Sequence, residues 1–212
     1  MNQIRYNYQK VLDMKLKQIK QEGKTPRLLL HACCAPCSSY VLEYLSEYFI
    51  IDVYYYNPNI SSEDEYKYRA YELVRFVKEK EFSNPVNVFI EKYNPEEFYQ
   101  VTHGLEECKE GGKRCFECYK LRLEQTAERA LSGGYDYFTT TLSISPLKNA
   151  QKLNEIGAEL QHDYGVHYLY SDFKKKDGYK RSIELSKEFN LYRQHYCGCI
   201  FSKRNTEVCK IK

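Results

Sequence analysis

The stretch "LLLHACCAPCSS", Leu28–Ser39, begins as an apolar run of strand length and breaks at Cys33, Cys34 and Cys37. Pro36 then stands where a helix can begin, since its fixed φ suits the first helical turn, and "CSSYVLEYLSEYF" continues with helical spacing. A strand, a tight turn and a helix in that order form the first half of a βαβ unit. The thiols therefore follow the carboxyl end of the first strand, where open α/β sheets place their ligands.

The same alternation recurs along the chain. Strand-like runs occur at "FIIDVYYYN", "VNVFIEKY", "YDYFTTTLSIS" and "VHYLYSDF". Between them, "SEDEYKYRAYELVRFVKEK" puts Tyr66, Ala70, Leu73, Val74 and Val77 on one helical face, with Ser62 and Glu65 at capping-box spacing. "CFECYKLRLEQTAERALSGG" runs helically from Cys115 to Gly133 and Gly134, and "NAQKLNEIGAELQHDYG" and "YKRSIELSKEFN" complete the series. This pattern predicts a three-layer α/β domain of Rossmann-like (HUP-like) type, with a mainly parallel sheet and helices on both faces. No Pro-, Ser- or Gly-rich linker or internal repeat divides it. We expect one domain over 1–212, with a helical extension at 1–24 and a tail at 203–212.

A chain of 212 residues suits one medium domain, and a formal net charge of +3 permits an anionic partner without requiring one. The 22 tyrosines can fill a core or stack on bases. Tyr54, Tyr55 and Tyr56 lie in a strand-like run, which favours the core. No apolar run reaches membrane-spanning length, and the charged N-terminus lacks a signal-peptide core, so a cytoplasmic protein with no membrane partner is expected. In a reducing compartment nine cysteines point to metal or redox chemistry rather than to a disulfide framework.

Seven of those nine form three groups: Cys33, Cys34 and Cys37; Cys115 and Cys118 opening a helix; and Cys197 and Cys199 about Gly198. A single buried cysteine is usually a small hydrophobe, but three groups at turns argue against that here. A thioredoxin-like "CAPC" explains two thiols, and a structural zinc site on "CAPC" and "CFEC" explains four. The adjacent pair Cys33 and Cys34 suits an iron–sulfur cluster better, because thiolate-held clusters tolerate varied spacing.

Together, "LLLHACCAPCSSY", "YYYNPNISSEDEYKYR", "EGGKRCFECYKLRLEQTA", "FTTTLSISPLKN" and "DFKKKDGYKRSIELSKEFNLYRQHYCGCIFS" closely resemble the epoxyqueuosine reductase family of the QueH type, from about Leu28 to Ser202. The resemblance implies cobalamin-independent reduction of the epoxide on the modified cyclopentane ring at the tRNA wobble position, giving the alkene and water. It also implies a [4Fe-4S] cluster held by Cys33, Cys34, Cys115 and Cys118, with a single iron nearby. Cys37, Cys197 and Cys199 are then available to that second metal. Some members of the family carry Asp where this chain has Cys37, and either residue can bind iron. Cys108 and Cys209 are expected to be non-ligands. Flavodoxin or ferredoxin is the expected electron donor, since no dinucleotide fingerprint appears.

The departing oxygen also needs a proton. His31, Tyr56 and Tyr119 are candidates, while Asp172 at the crevice rim is a metal ligand, a support for one, or a helix cap, and Cys37 is a catalytic metal-site group. The run "DFKKKDGYKR" supplies Lys174, Lys175, Lys176, Tyr179, Lys180 and Arg181 as expected tRNA contacts, with Lys203 and Arg204 further on. Thr141, Ser143 and Lys148 are expected to line the pocket. Two rival functions remain. A tRNA sulfur transferase would need a glycine-rich ATP loop after the first strand, which "HACCAPCSS" lacks. A zinc-bound nucleic-acid interaction module would purify colourless, with zinc.

Overall fold

In β1 (Arg27–His31) Leu28 and Leu30 enter one apolar cluster and Leu29 the other, as in a strand covered on both faces. The structure is a computed structural model and describes residues 6–203. Arg204, Cys209 and most of the expected tail lie outside the described residues. Around β1 the chain forms α1 (Tyr8–Glu22), α2 (Ala35–Leu45), β2 (Ile50–Tyr55), α3 (Glu63–Glu79), β3 (Val86–Ile90) and α4 (Glu96–Thr102). It continues with α5 (Lys113–Ser132), β4 (Tyr137–Thr140), a 3₁₀ turn (Thr141–Ile144), α6 (Ala150–Tyr164), β5 (His167–Tyr168) and α7 (Gly178–Glu188).

The five strands are parallel, in the order β3-β2-β1-β4-β5. The chain winds outward from β1 to β3, then crosses to the other side of β1 for β4. The carboxyl ends of β1 and β4 therefore flank a topological switch point, where a crevice opens. Helices α2, α3 and α7 cover one face and α5 and α6 the other, which is the expected three-layer α/β architecture. Tyr54 and Tyr55 at the end of β2, and Tyr56 just beyond it, divide between the same two clusters, so these tyrosines are core. α1 buries Leu12, Leu16 and Ile19 in the cluster that holds Leu28 and Leu30, and so shares the core.

Several boundaries differ from the sequence expectation. The run after Tyr137 leaves the sheet at Thr140, whose Oγ1 accepts from the Leu142 amide and starts the 3₁₀ turn. β5 is only two residues long because buried Asn154 then takes over the backbone of the next segment. Its amide pairs with both the N–H and the C=O of Ser171, at 2.9 and 2.8 Å. The capping box is half made: Ser62 Oγ accepts from the Glu65 amide, while the Glu65 carboxylate turns to Arg69. α4 had no signal in the sequence reading, being a single short helix after Pro95.

Gly178 lets α7 start against α2. A Cβ there would stand 2.0 Å from the Phe173 carbonyl oxygen and 2.4 Å from the Tyr40 ring. The backbone oxygen cannot move aside as a flexible side chain can. Gly178→Ala should cost about 1–3 kcal/mol, read as a lowered denaturation midpoint with an unchanged slope.

Candidate metal centre

The turn after β1 gathers three sulfurs within 4.8 Å of one another: Cys33, Cys34 and Cys37. Cys34 is the extended cap residue of α2, and Pro36 sits in the helix's first turn. Cys37 is the third helical residue, and helical side chains tilt toward the N-terminus, which returns its thiol to Cys34. Cys33 Sγ lies 3.8 Å from Cys34 Sγ and 3.6 Å from Thr141 Oγ1 on the 3₁₀ turn. Hydrogen bonds from the Cys33 and Cys37 thiols, aided by the Arg69 charge, hold Cys34 well below the ordinary thiol range. Donating to Cys34 pushes Cys33 up to about 11, and Cys37 rises through its bonds with Cys33 and Cys34. Such a compact set of soft donors can hold a metal ion.

Two other segments bring the remaining thiols close. At the start of α5 the Gly111 amide donates to Cys115 Sγ at 3.3 Å, and buried Cys118 packs with Cys199 and Phe98. Burial pushes Cys118 up to about 11. Gly198, between Cys197 and Cys199, has φ +111°, and a Cβ would come within 3.0 Å of Ile60 and 3.1 Å of Arg69. Only glycine makes that turn without strain. The Cys199 thiol foremost, then Lys148 and Arg122, hold Cys197 well below the ordinary thiol range.

A cavity of about 310 Å³ opens over these groups. Cys33, Cys34, Cys37 and Cys197 reach its wall, with the buried cations Arg69, Arg122 and Lys148. Lys148 Nζ donates to Cys197 Sγ at 3.2 Å and lies 3.7 Å from Glu110. Arg69 is paired with Glu65 at 2.8 Å and donates to the Cys197 carbonyl, tying the C-terminal turn to α3. At the mouth stand Tyr179, Arg193, His195, Tyr196 and Leu147.

The sequence-based candidates divide accordingly. Thr141 and Ser143 hold the site from behind: Thr141 Oγ1 contacts Cys33, and Ser143 Oγ bonds Ser171 Oγ at 3.2 Å. Lys148 does reach the cavity wall. His31 does not, and its proposed proton-donor role meets a correction here. It is fully buried, with Nε2 3.0 Å from the Tyr56 carbonyl and Nδ1 2.9 Å from Thr140 Oγ1. Burial foremost lowers it to about 3, so the neutral ring braces the ends of β1, β2 and β4. Asp172 is likewise away from the cavity wall, its carboxylate spent on Lys174 at 2.7 Å.

The basic run is also partly committed. Lys174 serves Asp172 and the Ser143 carbonyl, Lys176 pairs with Asp13 at 2.7 Å, and Arg181 forms a two-pronged pair with Glu43 at 2.8 and 2.9 Å. Lys175 and Lys180 are exposed and have no ion pair among the described residues. Tyr179 lies at the cavity mouth, with the Arg193 guanidinium 5.9 Å from its ring. Tyr56 donates to Glu97 away from the cavity wall. Cys108 is half-buried and also off that wall.

Two buried polar atoms test whether an anionic metal–sulfur group fits. Arg122 Nη2 and Tyr119 Oη have no hydrogen-bond partner among the described residues. Arg122 feels Cys118, Cys197 and Cys33, and Tyr119 feels Cys115 and Cys197. Orphaned buried donors close to cysteine sulfurs are what a thiolate-held anion would satisfy, so the residues present fit such a group.

The family model described as "Epoxyqueuosine reductase QueH" matches residues 28–205, spanning all seven grouped cysteines. The chain belongs to the QueH family. Among curated QueH proteins named epoxyqueuosine reductase, that of Streptococcus pyogenes serotype M1 is 44% identical over 93% of this chain and 78% of its own length. The Staphylococcus epidermidis protein is 45% identical over 95% of this chain and 87% of its own. The QueH protein of Thermotoga maritima is 36% identical over 82% and 89%.

Arg69, Glu110 and Arg122, and at the cavity mouth Leu147, Arg193, His195 and Tyr196, escaped the sequence reading, whereas Tyr179 did not. Arg122 had a readable signal: Cys115, Cys118, Tyr119 and Arg122 recur at i, i+3, i+4 and i+7 on one face of α5. A charge on a face that is otherwise buried needs a partner.

Proposed function

We propose that this chain is an epoxyqueuosine reductase, an oxidoreductase that removes the epoxide oxygen of epoxyqueuosine in tRNA to leave the alkene of queuosine. The observation that carries this reading is the gathering of cysteines from three segments, Cys33, Cys118 and Cys197, around the buried Arg122 in the wall of the switch-point cavity. No helix among the described residues is long and apolar enough to cross a membrane. The reaction consumes two electrons and two protons for each oxygen released as water.

Cys33, Cys34, Cys115 and Cys118 would hold a [4Fe-4S] cluster, and Cys37, Cys197 and Cys199 an adjacent iron. The 4.8 Å grouping of Cys37 with Cys33 and Cys34 supports a reading in which this one turn contributes ligands to both metals. When bound, the cluster would supply electrons singly, drawn from flavodoxin or ferredoxin, and the adjacent iron would supply Lewis acidity toward the epoxide oxygen. Lys148 holds a proton at Nζ beside Cys197, positioned to hydrogen-bond the departing oxygen. Glu110 orients that ammonium from its other side. The cavity is sized for the modified ring and not for a folded partner. Tyr179 and Arg193 at the mouth offer flat surfaces for bases of an anticodon loop.

The first test is metal analysis of protein purified without oxygen. About five iron and four or five sulfide per chain, brown colour, and conversion of epoxyqueuosine-containing tRNA with a reductant are expected. Zinc without sulfide would sink the reading and leave the zinc module. For tRNA, Lys175→Ala and Lys180→Ala should each raise KM a few-fold, leave kcat unchanged and flatten the salt dependence of binding by about one unit of slope. Unchanged salt slopes would move the tRNA path away from this run.

A further inference from the structure

Arg122 lies 1% exposed on the inward face of α5, two turns after Cys115. Its Nε donates to the Cys118 carbonyl at 3.1 Å, Nη1 reaches Asn57 Oδ1 only at 3.5 Å, and Nη2 meets no hydrogen-bond partner among the described residues. It also has no ion pair among them. The other two buried cations of the cavity each face a carboxylate: Arg69 has Glu65 at 2.8 Å and Lys148 has Glu110 at 3.7 Å. A buried guanidinium without a counter-charge is strongly destabilising, and with no carboxylate beside it this one depends on the cysteines of the site. The groups whose thiolate charge would balance it are Cys118, Cys197 and Cys33, one from each thiol segment, and of these only Cys197 is held as a thiolate without metal. The Tyr119 hydroxyl, one turn back on the same face, is a second buried donor without a partner.

We propose that Arg122, assisted by Tyr119, is the built-in counter-charge of the thiolate-held metal–sulfur centre, and that it holds that centre's reduction potential up. This rests on the iron–sulfur reading above. A thiolate-held cluster is anionic and gains one further negative charge with each electron, so a fixed cation favours the reduced form. Hydrogen bonds to cluster sulfur act in the same direction. Arg122 acts through the centre and not on the substrate, which makes it a positioning residue. Its charge has opposite consequences in two states: it penalises the metal-free protein and stabilises the loaded one.

The test compares wild type, Arg122→Met, Arg122→Lys and Tyr119→Phe in the full chain, with and without iron and sulfide. Metal-free Arg122→Met should melt no lower than metal-free wild type, and should gain less in Tm on reconstitution. Loaded Arg122→Met should be at least tenfold harder to reduce, a midpoint about 59 mV more negative for one electron. Arg122→Lys should recover most of that shift, and Tyr119→Phe should move the midpoint the same way by less. An unchanged midpoint in Arg122→Met at full iron and sulfide content would overturn the proposal. So would a metal-free Arg122→Met that fails to fold, because the guanidinium would then be structural. Wild type lacking iron and sulfide would remove the parent reading, and metal analysis detects that before any potential is measured.

Discussion

Cys37→Ala should abolish turnover while the anaerobically purified protein keeps most of its visible absorbance. Cys37 reaches the cavity wall from the first turn of α2, with its sulfur within 4.8 Å of Cys33 and Cys34. If its thiolate holds the second metal, its loss removes the group that polarises the C–O bond, worth several kcal/mol of charge stabilisation, or roughly 10³-fold in rate. A cluster held, as proposed, by Cys33, Cys34, Cys115 and Cys118 would lose none of its ligands. Cys37→Asp supplies a harder oxygen ligand at the same place and should retain part of the activity with iron still bound. Iron and sulfide analysis, the visible spectrum and single-turnover assays on the two variants decide the matter. Loss of all absorbance in Cys37→Ala would assign Cys37 to the cluster and redraw the division of thiols. The close grouping of the three sulfurs makes that a live outcome of the experiment.

The architecture was legible because β1, β2 and the amphipathic helices each obey one clear period. Leu28 to Leu30 read as a strand covered on both faces, and α3 shows its apolar stripe. The short elements were not legible. β5 ends where Asn154 replaces a neighbouring strand with its own side-chain amide, an exchange that depends on a residue thirteen positions earlier than His167 and carries no local pattern. The three thiol segments stood out through spacing alone, since tight groups at turns are rarely structural. Their counter-charges did not: Arg69 and Arg122 resemble ordinary helix-surface arginines until the fold buries them to 2% and 1% exposure. The pairing within the lysine run was hidden for the opposite reason. Its charge density is plain in the sequence, whereas the partners Asp13, Glu43 and Asp172 come from distant or locally folded positions.

Lys148→Met should lower kcat by about 10²–10³-fold, the usual cost of removing one preorganised donor from a reacting site, with little change in KM for tRNA. The lysine follows the 3₁₀ turn, and its amide closes a turn onto Ser145, which carries the ammonium into the cavity. It is 9% exposed, so it is too deep to serve as a free phosphate contact. Burial works against its charge, but the Cys197 thiolate 3.2 Å away outweighs that and keeps Lys148 above the ordinary lysine range. The same contact helps keep Cys197 in the thiolate form a metal requires. Methionine matches the stem's bulk and removes only the charge and donors, whereas Lys148→Arg keeps the charge at shifted geometry and should recover about tenfold of the loss. Iron content separates the two roles of the ammonium. If Lys148→Met keeps its metal and single-turnover rate falls, the donor acts on the departing oxygen; if iron is lost together with activity, its work is to hold Cys197 as a ligand. A raised KM with kcat unchanged would contradict both, and would place the wobble nucleotide's phosphate at the bottom of the cavity.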